Sequence, residues 1–170
     1  MMLSMSYLKG CFVAEVKFKG PIFSKEQFIK ILSDAFANVS EAEIKKLIVD
    51  ESILKGQSPV EGEGRFESYS DSYKDAIDQG RYSEFSKKKV PVNLKLSGSL
   101  LDSFFVKKIK SGIQIGFKHF LAEIHTVKGA GKSKVKRKML PVEKGEDFKG
   151  TIRRQIIKLV KIEISKILRK

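Results

Sequence analysis

The chain has 170 residues, of which 41% are hydrophobic and 32% charged, which suits one folded core of ordinary domain size and excludes wholesale disorder. Its 34 basic side chains outnumber 20 acidic ones, giving a formal net charge of +14 and predicting attraction to phosphate or to an acidic protein face. No apolar run approaches the roughly 20 residues that cross a bilayer, because Lys or Glu interrupts every apolar stretch, so no membrane span is expected.

The opening residues show neither a basic leader nor a small-residue cleavage site, and Cys11 is the single cysteine. Together these predict a reducing, cytosolic setting with no internal disulfide and no cysteine zinc site. The charge is polarised along the chain: residues 1–85 carry 11 basic and 14 acidic side chains, net −3, whereas 86–170 carry 23 and 6, net +17. One side of the molecule is therefore expected to meet an anionic neighbour, either nucleic acid or protein.

In chain order, Phe12, Ala14, Val16 and Phe18 alternate with Val13, Glu15 and Lys17, a period of two that predicts a half-buried strand ending at Gly20 and Pro21. Cys11 opens that strand, where an inert buried thiol is expected. Ser24 and Gln27 form a capping-box pattern ahead of Phe28, Ile31, Leu32, Ala35, Phe36 and Val39 at helical spacing. The stripe resumes at Ile44, Leu47 and Ile48. Ser40 and Glu43 allow a second cap, but the expectation is a single long helix over 24–54. Gly56, Gly62, Gly64 and Pro59 make 56–66 a loop needing no fixed core. No Gly-Lys-Ser/Thr follows, so it is not a phosphate cradle. Ser70 to Gln79 is predicted to be a short helix stopped by Gly80.

Lys87, Lys88 and Lys89 read as a solvated charge run leading into an alternating segment of Val92, Leu94 and Leu96. Ser97 can cap a turn of helix containing Leu100 and Leu101. Phe104–Lys110 and Ile113–Phe117 form a hairpin across Ser111 and Gly112, with Phe104 and Phe105 on opposite, both packed, faces. His119–Thr126 suits a short amphipathic helix. Residues 127–138 contain five lysines, one arginine and two glycines, too little apolar content to bury itself, and are expected to form a mobile loop. From Gly145 to Lys170, Phe148, Ile152, Ile156, Leu159, Val160 and Ile167 recur at helical intervals, with acidic residues first and basic residues last. The alternation Val160, Ile162, Ile164 leaves a strand over 157–164 as the competing reading. The resulting fold class is α+β: a small antiparallel sheet packed against a long N-terminal and a long C-terminal helix, in a single domain over 1–170 with loops near 56–66 and 127–138.

Catalytic chemistry finds no constellation. His119 and His125 are six residues apart, about 600° round a helix, so they do not chelate together. Ser97, Ser99 and Ser103 near Asp102 lack a histidine in a nucleophile context. No catalytic residue, metal ligand or cofactor is expected. The strong electrostatic feature is the basic loop, with Lys128, Lys132, Lys134, Lys136, Arg137 and Lys138 able to neutralise several phosphates or to keep an interface loop soluble. No aromatic residue interleaves with these cations, which disfavours stacking on single strands.

Four pieces in this order resemble the phage virion-morphogenesis or tail-completion family, the small neck proteins that join head connector to tail. They are the strand and helix of 12–54; GQSPVEGEGRFESYSDSYKDAI with its Gly-rich turn and Ser-x-x-Tyr helix start; LKLSGSLLDSF at 94–104; and IGFKHFLAEIHTVKGAGKSKVKRKMLP at 115–141, with a Gly-x5-Ala-x-x-His step and an Arg-x-x-Leu step. The matching positions are Ser97, Gly98, Leu100, Ser103, Gly116, Ala122, His125, Leu140 and Pro141. The chain departs from the family pattern in its lysine-rich loop and in Val127–Lys128, where an aromatic residue more often precedes the glycine. The resemblance implies a non-enzymatic virion protein of the neck or tail end, made in the host cytoplasm, that assembles into a ring homo-oligomer, expected to be a hexamer. Its implied partners are head connector or adaptor proteins, tail terminator or tail tube proteins, and DNA in the lumen. The alternative is a free-standing basic nucleic-acid-binding protein.

Overall fold

The computed structural model describes residues 23–85, 87–95, 97–109 and 112–169, so the strand expected at Cys11–Phe18 lies outside the described residues. The first element, α1 (Lys25–Asn38), starts where the sequence signals it. Ser24 Oγ accepts from the Gln27 amide at 3.2 Å, and the Gln27 side chain accepts from the Ser24 amide at 2.9 Å, so two otherwise unpaired amides are satisfied reciprocally. Ala35 is fully buried, with Ile31, Leu32 and Phe36 packed on the core beside it. α1 touches both strands of the sheet and the terminal helix.

The single helix expected over 24–54 is broken. Val39 is extended at ψ 127°, and Ser40 caps a new helix, α2 (Glu41–Lys45), by accepting from the Glu43 amide at 3.4 Å. The break has a packing reason. It lets Val39 bury itself at the corner and re-aims the second apolar stripe, so that Ile44 and Ile48 are fully enclosed. α2 runs directly into a π-helical turn, Lys46–Asp50, in which the Glu51 amide reaches back to Lys46 O at 2.9 Å. The wider turn places the adjacent Ile48 and Val49 both in the core. Enclosing each such side chain stabilises the fold by about 1.5–3 kcal/mol.

The segment 56–66 is a loop, as expected, but it is anchored. Ser58, Pro59 and Val60 are buried, Ser58 Oγ donates to Lys138 O at 2.6 Å, and Val60 bridges to Phe148. At Gly56, with φ +74°, an added Cβ would come within 2.7 Å of the Pro91 side chain, so only glycine lets the two loops touch. α3 (Asp71–Asp78) stops at Gly80, φ +76°, where the Arg81 amide bonds back to Ala76 O at 3.1 Å, a Schellman-type ending.

The alternation Val92, Leu94, Leu96 does not make a strand. Val92, Asn93 and Leu94 are buried in succession, and Asn93 Oδ1 accepts from the Lys95 amide at 3.2 Å. That side chain supplies the local partner a strand neighbour would have provided. Leu96 lies outside the described residues. A one-turn helix, α4 (Ser99–Asp102), follows with Gly98 rather than Ser97 at its cap position and Leu100 and Leu101 buried.

The hairpin is present. β1 (Phe104–Ile109) pairs antiparallel with β2 (Gly112–Phe117), with Phe104 opposite Phe117 and Phe105 opposite Gly116. The Phe104 and Phe117 rings meet edge-on at 5.4 Å. Phe105 is only half-buried, and its ring lies across Gly116, where a Cβ would sit 2.6 Å away. After β2 comes α5 (Leu121–Glu123), continued by a π-helical turn over Ile124–Lys128.

The terminal helix α6 (Gly150–Leu168) buries Ile152, Val160 and Ile164, with Ile156, Leu159 and Ile167 alongside. Length and period decide against the strand reading of 157–164, and Ile162 accordingly points outward at 43% exposure. α6 starts at Gly150 rather than Gly145 because a carboxylate from the distant loop caps it: Glu61 Oε2 accepts from the Gly150 amide at 2.7 Å, where the helix N-terminus favours negative charge. Glu146 and Asp147, expected inside this helix, precede it, and Asp147 pairs with Arg153 at 3.0 Å. The architecture is α+β.

Candidate functional site

The pieces of sequence that carry the resemblance are far apart in the chain and meet in space. Ser103 Oγ donates to Leu100 O at 2.7 Å and accepts from the His119 amide at 3.1 Å, tying 94–104 to the segment after β2. Ser99 Oγ lies 3.5 Å from His119 Nε2. The Arg137 amide donates to His125 O at 2.7 Å, and the Arg137 side chain donates to Glu67 O at 3.1 Å and Ser68 O at 3.0 Å. Glu41 on α2 accepts from the Val106 amide at 3.2 Å, and Lys45 reaches Asp102 at 3.5 Å. Leu100, Gly116, Ala122, Leu140 and Pro141 are buried in this frame, Gly98 takes φ +94°, and Ser97 stays exposed with its Oγ 2.9 Å from Ser99 Oγ.

At its centre stands a cationic cluster that sequence reasoning missed. Tyr69, Tyr73 and Tyr82 follow one another with ring centroids 4.9 and 5.3 Å apart. Lys87 Nζ sits 4.7 Å over the Tyr69 ring and donates to its hydroxyl at 2.8 Å. The Arg137 guanidinium lies 5.2 Å over the same ring. Lys87 is thus no part of a solvated run. The Tyr69 and Tyr73 rings, with centroids 4.7 and 6.0 Å from the Nζ, attract its charge. Burial lowers the Lys87 amine to about 8 and raises the Tyr69 hydroxyl to about 12. The four-residue spacing of Tyr69 and Tyr73 was visible in the sequence, but the cations that cover them come from remote segments.

His125 Nδ1 is buried without a hydrogen-bond partner among the described residues. Burial, reinforced by the charges of Arg137 and Lys87, lowers its pKa from 6.5 to about 4. In this range the unfolded chain binds the proton more readily than the folded one, so stability is fully present above pH 6.5 and falls as pH drops from there towards 4. Allowing for the part of the ring open to solvent, the loss is of order 1–2 kcal/mol. Urea titrations from pH 7 to 4 check this: His125→Leu should flatten the slope in that window, and an unchanged slope refutes it.

The basic loop divides. Ala130 and Val135 exchange backbone hydrogen bonds of 2.8 and 3.0 Å, so 127–138 closes into a small hairpin rather than a free loop. Arg137, expected to face a partner, is only 5% exposed and spends its donors on Glu67 and Ser68. Lys138 is also turned inward, against Glu146, Glu63 and Glu143. Its partners raise its pKa, and the Lys138 hydrogen bond helps hold the Glu146 carboxyl below its usual range against the opposing effect of burial. Glu146 also accepts from the amides of Val142 and Glu143 at 2.8 and 2.9 Å. Lys128 pairs with Glu123 at 3.0 Å and Lys136 approaches Glu143 at 3.8 Å. Lys132 and Lys134 remain exposed at the tip. Alternating Lys and apolar residues gave no sign that the last two cations were structural, because their partners are 70 and 8 positions away.

Among the described residues no group of three or more His, Cys, Asp or Glu converges as a metal would require, and no helix is long and apolar enough to cross a membrane. Compared with known proteins, the chain matches no protein-family model, no curated protein and no solved structure.

Proposed function

We propose that this chain is a structural subunit of a phage virion, placed at the neck or tail end, where copies close into a ring that joins the head connector to the tail. The observation that carries the reading is the mutual hydrogen bonding of the separate segments that resemble the tail-completion family. Ser103 ties the Ser-Gly-x-Leu step to the segment after β2, and Arg137 ties the Arg-x-x-Leu step both to His125 and to the backbone ahead of the Ser-x-x-Tyr helix. Segments that serve one frame in common are what the family's shared fold would require. The role is mechanical, not catalytic. Affinity between rings comes from repetition of one weak contact around a closed circle.

The charge polarity supports the same reading, since a half of net +17 suits a subunit set beside packaged DNA or an acidic connector surface. Light scattering on the purified protein, alone and mixed with the connector of the same virion, tests it. A closed oligomer, expected to be a hexamer, or stoichiometric capture by the connector is the expected result. A strict monomer that binds no virion component overturns it. The nucleic-acid-binding alternative gains if tight duplex binding is found with no assembly at all.

A further inference from the structure

The outer face of α6 carries an uncompensated basic stripe. Arg154, Lys158, Lys161, Ser165 and Arg169 recur at steps of three and four residues and are all exposed. At 100° per residue they fall within a sector of about 80°, and at 1.5 Å per residue the stripe is about 22 Å long. Among the described residues none of Arg154, Lys158, Lys161 and Arg169 has a carboxylate within ion-pair distance. The one acidic side chain of the helix, Glu163, lies off the stripe and is occupied by Lys166 at 2.6 Å. Lys158, Lys161, Ile162, Ser165, Lys166 and Arg169 line a shallow groove along the C-terminal half.

We infer that this stripe is a docking surface for the phosphate backbone of duplex DNA, and that the DNA contact of the protein lies here rather than on the 127–138 hairpin. Charge complementarity selects the occupant. A protein interface of this length would be expected to hold a desolvated apolar or aromatic centre, whereas Ile162 and Leu168, the exposed large apolar side chains of α6, lie one on each margin of the stripe and leave its middle to cations. A row of like charges with no carboxylate between them is costly to hold together unless counter-charges arrive at similar spacing, and phosphates supply these along both strands of a duplex. The hairpin competes poorly, since Arg137 is buried and Lys128, Lys136 and Lys138 have acidic neighbours. The contact reads no sequence, because long flexible cations on one exposed face address the backbone and not base edges. The inference goes beyond the ring reading and holds for monomer or ring.

The test is fluorescence anisotropy with a labelled duplex of mixed sequence, between about 50 and 200 mM salt. Three proteins are compared: the wild type, the quadruple variant Arg154→Gln, Lys158→Gln, Lys161→Gln, Arg169→Gln, and the hairpin variant Lys132→Gln, Lys134→Gln. The quadruple variant should lose about 100-fold or more in affinity at the low end, and the log–log salt slope should fall in magnitude by about 3–4, at roughly 0.9 per phosphate contact. The hairpin variant should change the slope by less than about 1. Absence of wild-type duplex binding at low salt overturns the inference, as does loss of the slope in the hairpin variant instead. Poly-L-glutamate binding the wild type as tightly as DNA also overturns it, by assigning the stripe to an acidic protein surface. Light scattering and thermal melting of the same variants keep a failure of assembly or folding distinct from a failure of DNA contact.

Discussion

Arg137→Met is expected to lower the unfolding free energy by about 2–4 kcal/mol, although the substitution removes a buried charge and adds an apolar side chain. The guanidinium holds the carbonyls of Glu67 and Ser68 and covers the Tyr69 ring. Methionine has no donor, so both carbonyls lose their partner and the junction between 66–69 and the end of the 127–138 hairpin loosens. Relief of the desolvated charge offsets part of this, which keeps the figure below the sum of two charge-assisted bonds. Arg137→Lys reaches one carbonyl at most and should lose about half as much. Urea denaturation at pH 7 measures both. Lys132→Ala and Lys134→Ala, at the exposed tip, should fall within about 0.5 kcal/mol of wild type. A second readout isolates the electrostatics: without the guanidinium, the His125 titration followed by NMR should move up from about 4. A variant as stable as wild type with an unmoved His125 would show that Arg137 is a surface cation after all.

Gly129→Ala is expected to open the 127–138 hairpin. Gly129 has φ +83° and ψ 140°, a region open to glycine and strained for any L side chain. An added Cβ would lie 2.0 Å from Lys134 O and 2.8 Å from Lys134 Cα. Those are backbone atoms of the opposite strand, so no side-chain rotation relieves the clash, and the Ala130–Val135 pair must separate. Backbone strain plus two lost hydrogen bonds amount to about 2–3 kcal/mol. Amide exchange at Ala130 and Val135 should accelerate about 30-fold or more, and trypsin should cut after Lys132 and Lys134 faster than in the wild type. Gly131→Ala is the control, because its φ is +72° but a Cβ there meets nothing within 4 Å; it should cost only about 1 kcal/mol. Unchanged exchange in Gly129→Ala would mean that the hairpin is already open in solution.

The cations that recur along the sequence sort into two kinds once packing is considered. Arg137, Lys138 and Lys87 are held inward by carbonyls, carboxylates and tyrosine rings, and they stabilise the frame. Arg154, Lys158, Lys161 and Arg169 stand on the exposed side of a helix whose opposite face is in the core, and among the described residues they have no carboxylate partner.

Local signals in the chain determined the elements whose cause is local. The Ser24–Gln27 box, the stop at Gly80, the hairpin around Gly112 and the long terminal helix each depend on residues within a turn or two of one another, and each is present. So is the α+β class, which follows from their order. The corner at Val39–Ser40 was written as a second capping signal, but only packing chose it over a continuous helix, because a straight rod could not place both Ala35 and Ile48 in the core. The irregular backbone at 92–94 and the start of α6 at Gly150 were decided by partners far away, Asn93 acting where a strand neighbour was missing and Glu61 reaching across 89 positions. The same holds for the candidate site: a lysine or arginine announces its charge from sequence, whereas whether that charge faces solvent, a ring or a carbonyl depends on which distant segment folds over it.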